Sequence, residues 1–222
     1  MKKHGVVVIG GGSGGYAAAR TAHEAGADVA VVDCGPLGGL CILRGCMPSK
    51  AILRSAEIME HMRRGAEFGL LDLFPQADLA AIMERKDRLI KEFADYRIEQ
   101  LRDGRFTLYE ERAAFVAPNQ IRVGDSIVEG EYFIIATGST VHRASIPGLE
   151  EVGFITSDEA LELRTQPASM IVLGGGPIAL ELAQFYQRIG TQVYLIQRSS
   201  HVLSAGDGDL AIPLEASLRA EG

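Results

Sequence analysis

Val6-Val7-Val8-Ile9-Gly10-Gly11-Gly12-Ser13-Gly14-Gly15 is the stretch on which the fold turns. Four consecutive β-branched residues read as a buried strand. The glycines that follow have the spacing Gly10-x-Gly12-x-x-Gly15, and Tyr16–Ala25 has a helical composition that stops at Gly26. Val29–Val32 reads as a second strand, ending at Asp33. Strand, turn, helix and strand in that order form a dinucleotide-binding unit. Gly10 permits the tight turn, Gly12 lets a pyrophosphate approach the backbone, and Gly15 lets the helix close on the strand. The helix N-terminus, with Ser13 and Gly14 in its first turn, receives phosphate charge. Asp33 is placed to accept hydrogen bonds from a ribose.

The unit occurs twice. An offset of 164 positions carries Gly10 to Gly174, Gly12 to Gly176, Gly15 to Ala179, Gly26 to Gly190 and Asp33 to Gln197 without a gap. Met170–Leu173 and Val193–Gln197 are the flanking strands. Pro177, Ile178 and Ala179 open a helix that runs to Ile189. Two such folds imply two nucleotides. Asp33 suits a free 2′-hydroxyl and repels a 2′-phosphate. Gln197-Arg198 removes the negative charge and supplies a cation, which favours NADP over NAD. Ser199, Ser200 and His201 follow as candidate phosphate partners.

Between the two units lies Gly38-Gly39-Leu40-Cys41-Ile42-Leu43-Arg44-Gly45-Cys46-Met47-Pro48-Ser49-Lys50. A regular helix would rise about 7.5 Å over five residues and turn the second cysteine off the first one's face. A disulfide spans a Cα separation of about 4.4–6.8 Å. Joining Cys41 to Cys46 therefore requires a tight fold, and Gly45 supplies the freedom for it. A bridge across so short a loop constrains the unfolded chain little and reads as reducible rather than structural. A structural zinc site needs four ligands, and no second Cys or His pair is placed to complete one. Cys34 reads as an inert thiol.

The chain has 222 residues, room for one large core or two small domains. Its net charge of −7, with no basic run, disfavours nucleic acid and anionic membranes as partners. Only four apolar residues follow Met1-Lys2-Lys3-His4-Gly5, so no signal peptide is expected and a cytoplasmic location is. In that compartment a disulfide implies a redox role.

Residues 50–66 and 78–103 have amphipathic helical patterns, with Asp78 as an N-cap. Ile82, Leu89, Phe93, Tyr96 and Leu101 fall near helical spacing, and the aromatic positions among them are expected in the core. Thr107–Tyr109, Ala114–Val116, Gln120–Val123 and Ser126–Val128 read as small antiparallel strands with turns at Pro118-Asn119 and Gly124-Asp125. Tyr132–Ile135 reads as a separate buried strand leading into Ala136-Thr137-Gly138-Ser139. Val141–Ser157 is the linker candidate, and Gly208–Glu221 begins another helix.

Gly10–Gly15, the Gly-Gly-x-Cys-x4-Cys-x-Pro-Ser-Lys loop, Ala136–Ser139 and Gly174–Glu181 together resemble the flavoprotein disulfide reductases. These include dihydrolipoamide dehydrogenase, glutathione reductase and mercuric reductase. Ala179-Leu180-Glu181-Leu182-Ala183-Gln184 is most similar to the mercuric reductase branch. The resemblance implies an α/β fold. Residues 1–150 would form a Rossmann-like FAD-binding domain with helical and small antiparallel β insertions. Residues 151–222 would start a second, nicotinamide-binding Rossmann-like domain.

It implies further that Cys46 lies against the flavin as the charge-transfer thiolate and that Cys41 attacks substrate. Lys50 would sit near the flavin and pair with Glu181. Cys34, Gly39 and Leu40 would border the FAD. Ala113 would meet the adenine through its backbone, and Ala136, Thr137, Gly138 and Ser139 would line the site. Lys50, the helix start after Pro48, and Arg44 are candidates for the positive charge that favours a thiolate.

The implied substrate is a small-molecule disulfide, lipoamide or a metal ion, with no resident metal. The implied longer protein is a homodimer whose disulfide is served by a His–Glu pair. None of His4, His23, His61, His142 and His201 has that setting, so the chain reads as an N-terminal portion. Three positions depart from the family. Leu40 stands for a threonine, Pro177 for a gating tyrosine, and Ser204 for the second arginine of NADPH users. The alternative reading is a non-catalytic nucleotide-binding module that senses redox state through its cysteines.

Overall fold

The computed structural model describes residues 2–71 and 74–222. In chain order these form β1 (Lys2–Ile9), α1 (Ser13–Glu24), β2 (Val29–Val32), α2 (Gly39–Leu43), α3 (Cys46–Arg63) with a 3-10 turn at Arg64–Phe68, and α4 (Leu79–Arg102). Then come β3 (Thr107–Tyr109), β4 (Ala113–Ala117), β5 (Gln120–Val123), β6 (Ser126–Ile135), α5 (Leu149–Val152) and α6 (Ser157–Ala160). The chain closes with β7 (Ser169–Leu173), α7 (Pro177–Ile189), β8 (Gln192–Ile196) and α8 (Gly208–Glu221). No helix among the described residues is long and apolar enough to cross a membrane.

Two compact units result: Met1–Met47 with Arg88–His142, and Pro48–Asp87 with Arg143–Gly222. Each unit is built from two separate stretches of the chain. The reason lies in α3 and the first half of α4, whose Ile52, Ala56, Leu79 and Met83 share a core with Leu161, Phe185 and Tyr186.

In the first unit six strands form one sheet in the order β3-β2-β1-β6-β5-β4. β1 runs parallel to β2 and β6, with Val8 beside Val31 on one side and Ile134 on the other. Strand periodicity then sorts the side chains. Val8, Val29 and Val31 join Tyr16 and Ala19 of α1 in one core. Val7, Ala30 and Val32 face the other way and are covered by Ile121, Val123 and Val128 of the β4–β6 meander.

Two strand expectations need correction. β3 pairs parallel with β2 and is no part of the antiparallel set. Ser126–Val128 and Tyr132–Ile135 are one strand, β6, unbroken at Gly130. A Cβ at Gly130 would lie 2.8 Å from Val7 Cγ2 and 2.9 Å from the Phe133 ring. The glycine therefore marks close approach within a strand, not its end.

Asp78 does cap α4, its Oδ1 accepting the Ala81 N–H at 3.1 Å. Phe93 and Tyr96, expected in the core, are 45% and 60% exposed. Leu101, on the same apolar pattern, is buried, and Ala94 joins it, with Ile98 half-buried.

The second unit carries the parallel pair β7–β8 with α7 packed beside it. Its main core joins α3, α4, α6 and α7, and a smaller one joins Leu180, Val202 and Ala211. Lys86 is only 2% exposed. Its Nζ donates to the Leu161 carbonyl at 2.7 Å and meets Glu162 at 2.7 Å and Asp87 at 2.9 Å, so the buried charge is fully paired. Tyr186 donates its hydroxyl to the Ala160 carbonyl at 2.5 Å, and burial pushes the phenol up to about 12.

Candidate nucleotide and thiol sites

The first glycine turn is braced on three sides. Gly10 has φ +106°, and a Cβ there would sit 2.2 Å from the Ala136 carbonyl oxygen. A Cβ at Gly15 would come within 1.7 Å of the Gly10 carbonyl oxygen, so only glycine lets α1 close on β1. Asp33 accepts the Gly11 N–H at 2.6 Å and the Gly35 N–H at 2.7 Å. Its carboxylate thus ties the turn to the loop after β2 and keeps lone pairs for another donor. Gly12 caps α1 with no side-chain hydrogen bond, and the space around Gly14 is open. Free helix amides beside an open space suit a pyrophosphate.

The structure brings together most of the first nucleotide set. Gly39 seats on Gly12, where a Cβ would lie 2.4 Å from the Gly12 Cα. Ala136 donates its N–H to Ile9 and presses on Gly10, and Thr137, Gly138 and Ser139 continue from it at the surface. Ala113 begins β4, four residues after Tyr109, whose carbonyl accepts the Asp33 N–H at 2.9 Å. Cys34 is an exposed free thiol.

The cysteine loop is tightly folded. α2 ends at Leu43, and Arg44 donates its N–H to the Leu40 carbonyl at 2.9 Å. A Cβ at Gly45 would lie 3.0 Å from that same carbonyl oxygen and 3.3 Å from the Cys41 Cα. The chain has turned back on Cys41 when it reaches Cys46, which opens α3. The expected Cys41–Cys46 bridge is not formed, since Cys41 carries a free thiol. The cysteines stand on two separate helices, and Cys46 takes the helix N-terminal end, where negative charge is favoured.

Lys50 and Glu181 lie 131 residues apart and meet within the second unit. Lys50 Nζ donates to both carboxylate oxygens at 2.6 and 2.8 Å. The partners are 60% and 36% exposed, so their ion pair adds at most about 1 kcal/mol of stability. Orientation is its larger effect. The pair borders a cavity of about 530 Å³ also lined by Arg54, Glu57, His61 and Arg188. The Arg54 hydrogen bond holds the Glu57 carboxyl below the usual carboxylate range.

The second turn begins as the first does. Gly174 has the same φ of +106° as Gly10. Gly174 donates to the Ile196 carbonyl at 2.8 Å, as Gly10 donates to Val32 at 2.8 Å. Gly176 caps α7 with no side-chain bond, and Pro177 follows as its first residue. Ile178 is 63% exposed at the helix start, beside Ala179. Gln197 occupies the place of Asp33 but serves its own loop. Its amide donates to the His201 carbonyl and to Ser204 Oγ, both at 3.4 Å, and its oxygen accepts the Arg198 N–H at 3.2 Å. The Arg198 side chain is exposed.

Two polar residues escaped the sequence reading: Lys86 and Arg97. Both lie on buried stripes of α4, at the spacings Leu79, Met83, Lys86 and Ala94, Arg97, Ile98, Leu101. That spacing was the signal, because a charge on the apolar face of a helix must find a partner. Among the described residues no group of three or more His, Cys, Asp or Glu could hold a metal ion.

Residues 4–222 match the family model described as pyridine nucleotide-disulphide oxidoreductase. A mercuric reductase from Staphylococcus aureus is 36% identical over 98% of this chain and 40% of its own length. A dihydrolipoyl dehydrogenase from Thermus scotoductus is 34% identical over 100% of this chain and 48% of its own. The Cu(II) complex of the HOCl-induced flavoprotein disulfide reductase RclA from Escherichia coli superposes with a TM-score of 0.81 at 27% identity, covering 98% of this chain and 47% of that one. The chain therefore spans less than half the length of these relatives. The family model covers nearly the whole chain, and the chain belongs to the pyridine nucleotide-disulphide oxidoreductase family.

Proposed function

We propose that the chain is the N-terminal portion of an NAD(P)H-dependent flavin reductase. It would pass electrons through Cys41 and Cys46 to a small-molecule disulfide, lipoamide or a metal ion. The observation that carries this reading is Gly39 seated on Gly12, which starts the cysteine loop against a nucleotide turn. The uncapped start of α1 and the open space at Gly14 fit an FAD pyrophosphate, and Asp33 keeps acceptor capacity for its ribose. The second turn, Gly174–Ala179, would hold a nicotinamide dinucleotide, with Arg198 favouring NADP. FAD, when bound, supplies a two-electron relay between a nicotinamide hydride and sulfur.

The remaining chemistry belongs to the chain's own sulfurs. The Cys41 thiolate attacks one sulfur of a substrate disulfide, that S–S bond breaks, and the other sulfur leaves as a thiolate. Cys46 then attacks Cys41, the second thiolate leaves, and the Cys41–Cys46 bond forms. Two electrons have moved from the pair to the substrate. Lys50, fixed by Glu181, would supply positive charge at the redox centre. The longer protein would be a cytoplasmic homodimer.

The test is the visible spectrum of the FAD-reconstituted chain during an anaerobic NADPH titration. A long-wavelength shoulder at two electrons is expected in the parent and in Cys41→Ser, and its loss in Cys46→Ser. FAD bound with no shoulder in the parent overturns the thiol reading and leaves a nucleotide-binding module.

A further inference from the structure

The second glycine turn lies under the chain that returns from β8, and that chain is fastened at two consecutive residues. Leu203 donates its N–H to the Gly175 carbonyl at 2.8 Å. Val202 donates its N–H to Glu215 Oε1 at 2.9 Å, although Glu215 stands 13 residues on, in α8. Val202 is 6% exposed and shares a core with Leu180 and Ala211. A Cβ at Gly175 would meet Val202 Cγ1 at 3.1 Å and Gln197 Cδ at 3.3 Å, so the returning chain rests directly on the turn. Leu203 has φ +51°, a left-handed conformation that a residue with a side chain keeps only where its surroundings hold it.

These fastenings close a short arc. Gln197 donates its amide to the His201 carbonyl at 3.4 Å, and between those two residues Arg198, Ser199 and Ser200 stand exposed. Gln197, Ser199, Ser200 and His201 line a cavity of about 400 Å³ together with Glu215 and Arg219. Glu215 is itself fixed. It is 18% exposed, and its second oxygen lies 3.1 Å from Arg219. The Val202 N–H holds its carboxyl below the usual carboxylate range, as expected of a charge-assisted bond. A loop that has to be ordered when a ligand arrives loses binding energy to that ordering, and a loop held beforehand does not.

We propose that Glu215 is a positioning residue for the nucleotide of the second turn: by holding the Val202 N–H it fixes the Arg198–Ser200 arc that receives the substituent at the 2′ position of the adenosine ribose. The inference rests on the reading of the second turn as a dinucleotide site with Arg198 beside the 2′ position. In this role Glu215 touches no nucleotide atom. Its charge opposes a phosphate, while its hydrogen bond prepares the arc for one. The two effects have opposite signs, so their balance separates positioning from bare electrostatics. The 5′-phosphate is served by the uncapped start of α7 instead.

The test measures binding of adenosine 2′,5′-bisphosphate and of 5′-AMP to the full chain by calorimetry and reads the ratio of the two affinities. Glu215→Met, which removes both the charge and the acceptor, should lower the ratio about three- to tenfold. Glu215→Gln, which removes the charge and keeps an acceptor oxygen, should hold or raise it. Glu110→Gln, a surface control whose native side chain pairs with Arg102 at 2.8 Å, should leave it unchanged. An unchanged or raised ratio in Glu215→Met, with 5′-AMP still bound, overturns this inference alone. So does an equal fall in both Glu215 variants, because the acceptor oxygen is then not what matters. If Glu215→Met does not fold, amide hydrogen exchange in the parent decides. Adenosine 2′,5′-bisphosphate should slow exchange at Val202 more than 5′-AMP does, and equal exchange overturns the inference. A parent that binds neither nucleotide, or both equally, overturns the reading beneath it.

Discussion

The two glycine turns begin with the same backbone angle and differ in what surrounds them. Val7, Ala30 and Val32 of the first unit are 0%, 0% and 1% exposed. Their counterparts in the repeat are Ile171, Tyr194 and Ile196, which are 64%, 51% and 54% exposed. The first sheet face lies under its own meander, while the second is bare among the described residues. Gly10 is pressed by the Ala136 backbone, whereas nothing lies within 4 Å of a Cβ built on Gly174. The tolerance of each position in a glycine turn is set by its neighbours.

That contrast can be broken most sharply at Gly15. Gly15→Ala should destabilise the first unit by about 3 kcal/mol or more, because the added methyl meets a carbonyl oxygen. Ala179→Gly, the reverse change in the twin, should cost only about 1 kcal/mol of helix propensity. Urea unfolding of both variants checks the pair, and equal losses would end the argument from neighbours. Next come the sheet faces. Val7→Ser should cost about 2–3 kcal/mol and Ile171→Ser less than about 0.5 kcal/mol, while the second change lowers binding of an apolar dye.

The smallest effect concerns α8, which ties to α7 by charge. Arg188 Nε and Nη2 each lie 2.7 Å from a Glu221 oxygen, and these bonds hold the Glu221 carboxyl below its usual range. A lowered folded value means that the stabilisation is whole above the unfolded value of about 4.3 and is lost as pH falls through it toward the folded one. The urea midpoint of the second unit should therefore drop below about pH 4 by an amount worth about 1 kcal/mol, and Glu221→Gln should remove that acid step.

What could be read from the sequence was local. The turns at Gly10 and Gly174 are set by residues a few positions apart, and their repeat was plain. Asp78 declared itself as a cap for the same reason. The parallel pairing of β3 was not legible, because it depends on β2, 75 residues earlier between Val32 and Thr107. The continuity of Ser126–Val128 with Tyr132–Ile135 was not legible, because the side chains that require Gly130 between them, Val7 and Phe133, come from another strand and from three residues on. Phe93 and Tyr96 fitted an apolar pattern, yet the helix leaves both exposed. At the candidate site the residue types were visible and the partners were not. Asp33 looked like a ribose ligand, and it also splints its own loop. Lys86 and Arg97 were hidden among the charges of a helix that reads as amphipathic.

The placement of β1 between β2 and β6 bears on how a nascent chain must behave. Val6 pairs with Val29 on one side and with Tyr132 on the other. A ribosome adding about 5–20 residues per second makes the first partner within seconds and the second roughly 6–25 s after Val6 itself. For that interval an apolar ribbon of valine and isoleucine has left the tunnel with one flank unpaired. Such an early chain is a natural client for a chaperone, and slowing translation between residues 33 and 126 should lengthen its dependence on one.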